Sequence, residues 1–307
     1  MRIVFMGTPD FARTALEAII KAGHEVVLVV TQPDKPKGRS GKLQISDVKD
    51  CAIKNGIEVF QPAKIKAESS VSFLKGIEAD IYVVAAFGQI ISQEILDLPR
   101  YGCINIHASL LPKYRGAAPI QQAILDGEKV TGVTIQQMNI GVDTGDILLQ
   151  RECVISEDET GGSLFDRLSD LGAELVVEAL DLIEKGQIIP KPQDESKATH
   201  CGKIKKDMGL IDWSWDAQKI ERYIRGLNPW PSAYTYIDGK QLKIWKAAVS
   251  DECGKCATVL KTDKKSITIA CGEGSVKVLE VQLEGKKRME TSAFLLGNRI
   301  LEGDRIG

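Results

Sequence analysis

The feature that most constrains the fold is a regular alternation of apolar runs and amphipathic segments in the first half of the chain. The runs that are typical of β-strands are residues 2–7, 25–30, 80–88, 103–109, 132–138 and 146–155. Segments with helical spacing occupy residues 46–55, 90–98, 117–127 and 163–186. Continuous Val/Ile runs separated by helices favour a largely parallel sheet that is covered on both faces. We therefore predict an α/β fold with a Rossmann-like, doubly wound, mostly parallel sheet.

The pattern changes after the long helix. Residues 190–206 contain two prolines and many polar side chains with little periodicity, which is typical of a linker. A predicted helix at 216–227 then precedes short strands separated by turn signals such as Asp238-Gly239. This part of the chain predicts a smaller, OB-like β-barrel. We expect a catalytic domain at 1–189, a linker at 190–206 and a C-terminal barrel at 207–307.

Charge is distributed unevenly along the 307 residues, although the net charge is only −2. From residue 203 to the end there are 19 lysines and arginines against 14 acidic residues. A basic C-terminal part on an otherwise acidic chain is consistent with a polyanionic partner. A chance distribution of surface charge explains the same counts, so charge alone leaves both interpretations open.

Location and metal content follow from the apolar runs and the cysteines. No apolar run reaches the roughly 18 residues of a membrane span, and the start MRIVFMGTPDF is typical of a strand rather than of a signal peptide. The seven cysteines are dispersed, as is usual for reduced thiols in a cytoplasm. Cys253 and Cys256 form a CxxC pair, but a zinc site would need two more ligands. We therefore expect a cytoplasmic protein without membrane contact and without a metal.

Two polar side chains interrupt the buried strand predicted at 103–109. Asn105 and His107 are two residues apart, so their side chains lie on one face of the strand. Histidine exchanges a proton near neutral pH, and an asparagine amide can stabilise a developing oxyanion. Asp143, in the loop GVDTGDIL, offers a carboxylate that would orient the imidazole. The alternative is a core histidine that is satisfied by a loop aspartate.

The neighbouring sequence narrows the chemistry. There is no G-x-S-x-G nucleophile elbow, so direct transfer between two bound substrates is favoured over a covalent enzyme intermediate. There is no G-x-G-x-x-G after the first strand, so a nicotinamide cofactor is not favoured. Ligands of open α/β sheets bind at the carboxyl ends of strands. We expect this rim to gather Gly7, Phe87-Gly88, Asn105, His107 and Asp143.

An irregular basic segment, QPDKPKGRSGK, follows the second strand. From Asp34 to Lys42 it carries four positive charges and one negative charge. Such a loop can bind phosphates, although a solvated surface loop has the same composition.

The quoted motifs together resemble the methionyl-tRNA formyltransferase family. The stretches are NIHASLLPKYRGAAPIQQAI, TGVTIQQMNIGVDTGDILLQ and MGTPDFA. The basic loop and two C-terminal stretches extend the resemblance nearly end to end. These two stretches are KIKKDMGLIDWSWDAQKIERYIRGLNPWPSAYTY and GKKRMETSAFLLGNRILEGDRIG. The SLLP and DTG motifs alone are shared with other formyltetrahydrofolate enzymes. The resemblance implies formyl transfer from 10-formyltetrahydrofolate to the α-amine of methionyl initiator tRNA, for translation initiation, by a monomer.

The resemblance also implies roles for individual residues. The catalytic set would be Asn105, His107 and Asp143. The residues expected along the folate are Ser109, Leu110, Leu111, Pro112, Phe87, Gly88, Gln89, Ile90, Met138, Asn139, Ile140, Gly141 and Val142. Those expected to contact the tRNA are Lys35, Lys37, Arg39 and Lys42. Two other functions stay open: folate-dependent transfer to a small acceptor or to water, and an RNA-binding module without catalysis.

Overall fold

The structure is a computed structural model that describes residues 1–36 and 43–307. The chain forms two compact units. The first contains residues 1–119, 130–154 and 165–201, and the second contains residues 120–129, 155–164 and 202–307. The predicted boundaries at 189/190 and 206/207 stay predictions.

The first unit is built on a seven-stranded sheet in the order β10-β9-β7-β6-β1-β2-β5. The strands of the sheet and of two short pairs outside it, β3 with β4 and β8 with β11, are β1 (Arg2–Gly7), β2 (Glu25–Val30), β3 (Lys35–Pro36), β4 (Leu43–Gln44), β5 (Val59–Phe60), β6 (Ile81–Ala85), β7 (Cys103–His107), β8 (Arg115–Gly116), β9 (Val130–Gln137), β10 (Ile147–Val154) and β11 (His200–Cys201). The helices up to residue 201 are α1 (Asp10–Lys21), α2 (Asp47–Lys54), α3 (Glu68–Lys75), α4 (Gln93–Leu96), α5 (Pro119–Leu125) and α6 (Gly161–Glu184), with a 3-10 helix at Glu195–Lys197. Almost all of α5 and the first four residues of α6 belong to the second unit.

Five neighbouring strands of this sheet, from β5 through β2, β1 and β6 to β7, are parallel. The predicted Rossmann-like class is therefore confirmed. Beyond β7 the direction reverses, because β9 runs antiparallel to β7 and β10 runs antiparallel to β9. This mixed edge determines how the loop between β9 and β10 approaches β7.

The two faces of the sheet bury different apolar sets, as alternation along each strand requires. On one face, Val4 and Met6 of β1 form a hydrophobic cluster with Leu74 of α3 and Ile95 of α4. On the other face, Ile106 of β7 lies against α6, where a Cβ on Gly172 would come within 2.9 Å of it. Glycine at this position therefore lets α6 pack closely on the sheet.

The second unit is an antiparallel sheet, in the order β12-β13-β16-β15-β14 with β17 on β16. Its elements are a 3-10 helix at Lys206–Gly209, α7 (Ala217–Gly226), β12 (Tyr234–Ile237), β13 (Lys240–Ser250), β14 (Val259–Thr262), β15 (Ile267–Ala270), β16 (Ser275–Leu283), β17 (Met289–Glu290) and α8 (Thr291–Leu295). Register shifts at Ile244/Lys246 and Lys246/Ala247 bend β13, as β-bulges do. Ile220, Ile244 and Val278 belong to a separate hydrophobic core in this unit. The curled antiparallel sheet agrees with the predicted class of the C-terminal part.

Candidate active site

Asn105 and His107 lie on the face of β7 that α6 does not cover. Ile106, between them, points toward α6, so its two neighbours point to the opposite face. Asn105 is half-buried, and its side-chain amide makes no hydrogen bond to any residue within 1–36 and 43–307. Its donor and acceptor groups are therefore available to a ligand.

His107 is held between a backbone carbonyl and a carboxylate. Its Nε2 lies 2.9 Å from the carbonyl oxygen of Tyr114, and its Nδ1 lies 3.6 Å from Oδ1 of Asp143. A carbonyl only accepts hydrogen bonds, so Nε2 carries a hydrogen and Nδ1 is the nitrogen that gains or loses a proton. The side chain retains 7% of its surface exposed to solvent. The imidazole can therefore exchange a proton at Nδ1, beside the carboxylate.

Asp143 lies in the loop between β9 and β10 and has a left-handed backbone conformation, with φ 54°. Its Oδ1 accepts a hydrogen bond from Nε2 of Gln136 (2.9 Å), and its Oδ2 accepts one from the backbone N–H of Gly116 (2.9 Å). Each carboxylate oxygen therefore has a fixed donor, and Oδ1 is the oxygen that faces His107.

The route by which Asp143 reaches His107 differs from the expected one. Since β9 is antiparallel to β7, the loop starts at the amino end of β7, where Met138 N–H donates to the carbonyl of Cys103 (2.8 Å). The loop then folds back toward His107. The loop therefore begins away from the expected rim because β9 is antiparallel to β7, whereas Asp143 itself lies beside His107 as expected.

Gln136 is a site residue that the sequence reasoning missed. It is paired directly with Asn105 across the β7–β9 ladder, so the two side chains share a face of the sheet. It is only 2% exposed, and its Oε1 has no hydrogen-bond partner among the described residues. Its signal was the same as for Asn105, namely a polar side chain within an otherwise apolar strand.

A second missed group surrounds the backbone of the Asp143 loop. Gln193 Nε2 donates to the carbonyls of Asp143 (2.9 Å) and Gly145 (2.7 Å). Arg115, 2% exposed, donates to Gln193 and forms a bidentate ion pair with Glu195. The hydrogen bonds to Glu195 raise the pKa of the Arg115 guanidinium, and those to Arg115 lower the pKa of the Glu195 carboxyl. Nothing local in the sequence marks these residues as partners, because Arg115 is 78 positions from Gln193 and 80 from Glu195.

The SLLP segment is partly sequestered. Ser109 is fully buried, with its hydroxyl donating to the carbonyl of Lys113 (2.6 Å), and Leu111 is 3% exposed. Leu110 and Pro112 are half-buried. Only the last two therefore offer side-chain surface to a ligand.

The Phe87–Ile90 segment follows β6 and includes buried and exposed members. Phe87 is 2% exposed, and its carbonyl accepts a hydrogen bond from Nε2 of Gln32 (2.9 Å). Gly88 has φ 76°, and a Cβ there would come within 2.5 Å of the Gln32 amide. The Gln89 side chain is hydrogen-bonded to two backbone groups. Ile90 is 70% exposed and provides an apolar surface.

The Met138–Val142 loop provides apolar surface as well. Met138 packs against the hydrophobic cluster to which Phe87 also belongs. Ile140 and Val142 are 64% and 62% exposed. Exposed aliphatic side chains at two such segments offer contacts to a flat, partly apolar ligand.

Lys35 lies at the base of the basic loop, where β3 pairs with β4. Its Nζ donates to Oε1 of Gln32 (2.8 Å), and the Gln32 amide in turn reaches the Phe87 carbonyl. A pocket of about 260 Å³ is lined by residues that include Thr8, Gln32, Lys35 and Ser46. The other predicted tRNA contacts lie outside the described residues; they are Lys37, Arg39 and Lys42.

Within residues 1–36 and 43–307, no group of three or more His, Cys, Asp and Glu side chains is arranged to hold a metal ion. A membrane-spanning helix would need more apolar length than any helix in the described ranges has.

Comparison with known proteins identifies the family. Residues 1–180 match the family described as Formyl transferase, and residues 203–299 match Formyl transferase, C-terminal domain. Methionyl-tRNA formyltransferase of Agathobacter rectalis is 54% identical over 305 residues, which cover 99% of this chain and 98% of that protein. The chain belongs to the methionyl-tRNA formyltransferase family. Methionyl-tRNA formyltransferase of Geobacter sulfurreducens is 47% identical over 100% of this chain and 97% of its own length.

Solved structures show the same fold at lower identity. An N-formyltransferase from Helicobacter canadensis, in complex with folinic acid and dTDP-3-aminofucose, superposes with a TM-score of 0.68 at 19% identity, covering 90% of this chain and 98% of that chain. HypX from Aquifex aeolicus, in complex with tetrahydrofolic acid, superposes with a TM-score of 0.64 at 21% identity, covering 97% of this chain and 47% of that chain. This member of the methionyl-tRNA formyltransferase family is therefore an enzyme, a formyltransferase, as the sequence predicts.

Proposed function

We propose that the chain transfers the formyl group of 10-formyltetrahydrofolate to the α-amine of methionyl initiator tRNA, with Asn105, His107 and Asp143 as its catalytic residues. The observation that carries this proposal is geometric. In a member of this formyltransferase family, Asn105 and His107 share one face of β7, and the Asp143 carboxylate lies 3.6 Å from the imidazole.

The reaction begins when the neutral amine attacks the formyl carbon of the donor. The carbonyl oxygen becomes an oxyanion, the attacking nitrogen becomes positively charged, and the carbon becomes tetrahedral. Collapse then restores the carbonyl and expels N10 of the folate. The amine loses one proton overall, and the folate nitrogen gains one.

Asn105 and His107 act on this intermediate. The unengaged amide of Asn105 donates a hydrogen bond to the oxyanion, the kind of preorganised donor that is worth most in a site shielded from water. His107 exchanges its proton at Nδ1, since Nε2 is engaged by the Tyr114 carbonyl. It takes up the proton of the amine and returns a proton to the folate nitrogen.

Asp143 acts through His107. Its Oδ1 faces Nδ1, so the carboxylate stabilises the imidazolium form and fixes the plane of the ring. Gln136 and Gly116 hold the carboxylate in turn, so that it does not rotate away.

The exposed surface beside this set is the proposed folate site. Ile90, Ile140 and Val142 supply apolar contacts, and the neighbouring backbone supplies hydrogen-bonding groups. The remaining proposed folate contacts are Ser109, Leu110, Leu111, Pro112, Phe87, Gly88, Gln89, Met138, Asn139 and Gly141. The proposed tRNA contacts are Lys35, Lys37, Arg39 and Lys42.

The acceptor is tested directly with purified enzyme and radiolabelled 10-formyltetrahydrofolate. The acceptors to compare are initiator Met-tRNA, elongator Met-tRNA, an amino-sugar nucleotide and water. We expect transfer to initiator Met-tRNA to be fastest. Faster transfer to the sugar nucleotide or to water would contradict the proposed acceptor, and tRNA binding without folate binding would indicate a non-catalytic RNA-binding protein.

The catalytic set is tested by Asn105→Ala and His107→Ala. Loss of one oxyanion donor lowers turnover by about 10²–10³-fold, and loss of a general acid/base lowers it by roughly 10²–10⁴-fold. Circular dichroism of both variants should match that of the unsubstituted enzyme, because neither substitution removes an apolar core side chain. A rate near that of the unsubstituted enzyme in either variant would remove that residue from the set.

The proposal includes a monomeric enzyme in the cytoplasm, where both substrates are available. Light scattering at assay concentration tests the monomer, and fractionation of the source cell tests the location.

A further inference from the structure

We propose that Gln193 is a positioning residue of the active site, acting on the backbone of the Asp143 loop. The inference rests on the proposed function of Asp143. It assigns a role to a segment whose sequence alone is typical of a linker.

The contacts of Gln193 are unusual for a side chain in such a segment. Its amide nitrogen donates to two carbonyls of the same loop, those of Asp143 (2.9 Å) and Gly145 (2.7 Å). These carbonyls flank Thr144, so one amide group spans the turn that presents the carboxylate. Both hydrogens of the Gln193 amide are thereby used on the Asp143 loop.

Arg115 fixes the orientation of this amide. Its Nε and one terminal nitrogen donate to Oε1 of Gln193, at 3.0 and 2.8 Å. A guanidinium has only donors, so the carbonyl end of Gln193 must face Arg115 and the NH₂ end must face the loop. Glu195 binds the same guanidinium through two hydrogen bonds, at 2.8 and 2.7 Å, and compensates its charge. The three side chains therefore form one oriented unit.

The segment that carries Gln193 is itself anchored to the first unit. Lys191 and Ile147 exchange two backbone hydrogen bonds, at 2.8 and 2.9 Å. Further along, His200 and Cys201 pair with Arg115 and Gly116 as strands β11 and β8. The anchoring on both sides of Gln193 gives its amide a fixed place from which to hold the loop.

The same segment also reaches the partner of the imidazole. Thr199 Oγ1 accepts a hydrogen bond from Tyr114 N–H (2.8 Å), and the carbonyl of Tyr114 is the group that binds His107 Nε2. One stretch of about ten residues thus contacts the supports of both His107 and Asp143.

The mechanical consequence follows from the 3.6 Å separation of the carboxylate and the imidazole. Asp143 reaches His107 from a loop that has folded back from the amino end of β7, so the separation depends on what holds the loop. Gln136 and Gly116 hold the carboxylate, whereas Gln193 holds the backbone on either side of Thr144. Misplacement of a catalytic group by about 1 Å can cost about 100-fold in rate.

The test compares Gln193→Ala and Gln193→Glu with the unsubstituted enzyme. The glutamate variant keeps an acceptor for Arg115 but loses both N–H donors to the loop. We expect kcat to fall by about 10- to 100-fold in both variants, with little change in KM for either substrate. Asp194→Asn is the matched control, because within the described part of the chain the Asp194 side chain contacts its own turn, at Ser196 and Lys197. It should keep kcat within about two-fold.

A double-mutant cycle separates positioning from general structural support. If Gln193 acts through Asp143, Gln193→Ala lowers kcat no further in an Asp143→Asn background. Full activity of Gln193→Ala, or an additional loss of the same size in that background, would overturn the inference.

Hydrogen–deuterium exchange gives a readout that does not depend on formyl transfer. We expect faster exchange of the amides at 139–145 in Gln193→Ala than in Asp194→Asn. Unchanged exchange would argue against the inference. If the unsubstituted enzyme formylated none of the acceptors, the proposed function would fail, while this measurement would still decide whether Gln193 orders the loop.

Discussion

At the scale of single residues, the two nitrogens of His107 have different tasks because their partners differ. The Tyr114 carbonyl requires a hydrogen on Nε2, which leaves Nδ1 as the only nitrogen that changes its protonation state. Nδ1 faces a carboxylate whose own hydrogen bonds come from Gln136 and Gly116. The two nitrogens therefore face chemically different partners, a carbonyl at Nε2 and a carboxylate at Nδ1.

Replacement of the carboxylate tests this assignment. Asp143→Asn keeps the size of the side chain, an acceptor for the Gly116 N–H and a residue type that tolerates φ 54°. It removes the negative charge that stabilises the imidazolium. We expect kcat to fall by about 10²-fold or more, as for other acid/base groups, while the thermal midpoint stays nearly unchanged. Steady-state formylation and differential scanning calorimetry measure the two quantities, and an unchanged kcat would show that the charge plays no part.

Sequence reasoning reaches some of these residues and not others for a physical reason. Asn105 and His107 stand out because burying a polar side chain on a strand costs free energy unless that side chain is hydrogen-bonded. Gln136 carries the same signal. Gln193 carries none, because its partners are backbone carbonyls and an arginine far away in sequence.

At the scale of elements, the basic loop starts and ends on the short β3–β4 ladder, where Lys35 is paired with Gln44. Lys35 lies between this ladder and the Gln32 side chain, which in turn reaches the carbonyl of Phe87. A phosphate bound at Lys35 would thus lie one side chain away from the proposed folate site. This arrangement suits an enzyme that must bring a polyanionic acceptor to a folate donor.

The corresponding prediction concerns the salt dependence of tRNA binding. Lys35→Gln removes one positive charge from the proposed interface, whereas Lys54→Gln removes one from the exposed side of α2, where Lys54 pairs with Asp50. We expect Lys35→Gln to weaken tRNA binding and to reduce the slope of log K against log salt by about 1. Lys54→Gln should leave the slope unchanged. Filter binding across a salt series measures both, and an equal slope in the two variants would exclude Lys35 from the interface.

The elements themselves were predictable in proportion to their length and periodicity. The long Val/Ile strands and α6 follow from their patterns. The two-residue strand β5 and the helix α3 (Glu68–Lys75) were not predicted, because short segments carry little periodic signal. The reversal at β9 was also missed, since strand direction depends on tertiary pairing. Residues 190–206 have a linker-like composition. Gln193 of that stretch nevertheless contacts the Asp143 carbonyl, and Thr199 contacts the backbone N–H of Tyr114. That this stretch links two domains stays a prediction.

At the scale of the whole molecule, each unit has its own hydrophobic core. Leu28 belongs to the core of the first unit and Ile244 to that of the second, and each is almost fully buried. All four tryptophans lie at positions 213, 215, 230 and 245, within the second unit. Tryptophan fluorescence therefore reports on the second unit, whereas far-UV circular dichroism also reports on the helices of the first.

Two separate cores predict two unfolding transitions rather than one. Leu28→Ala should lower the free energy of unfolding of the first unit by about 2–5 kcal/mol and shift the circular dichroism midpoint while leaving the fluorescence midpoint in place. Ile244→Ala should shift the fluorescence midpoint. Urea titrations followed by both probes make the comparison. Coincident transitions that move together in both variants would show that the units unfold as one.

The left-handed backbone at Asp143 limits how this position can change over time. Only glycine, asparagine and aspartate adopt such a φ readily, and of these only aspartate carries a charge. Glutamate, the other acid, is not among the residue types that adopt this φ readily. The proposed role of Asp143 therefore predicts that glycine and asparagine are acceptable here for folding but not for turnover, so a saturation library sorted for growth should return a single amino acid.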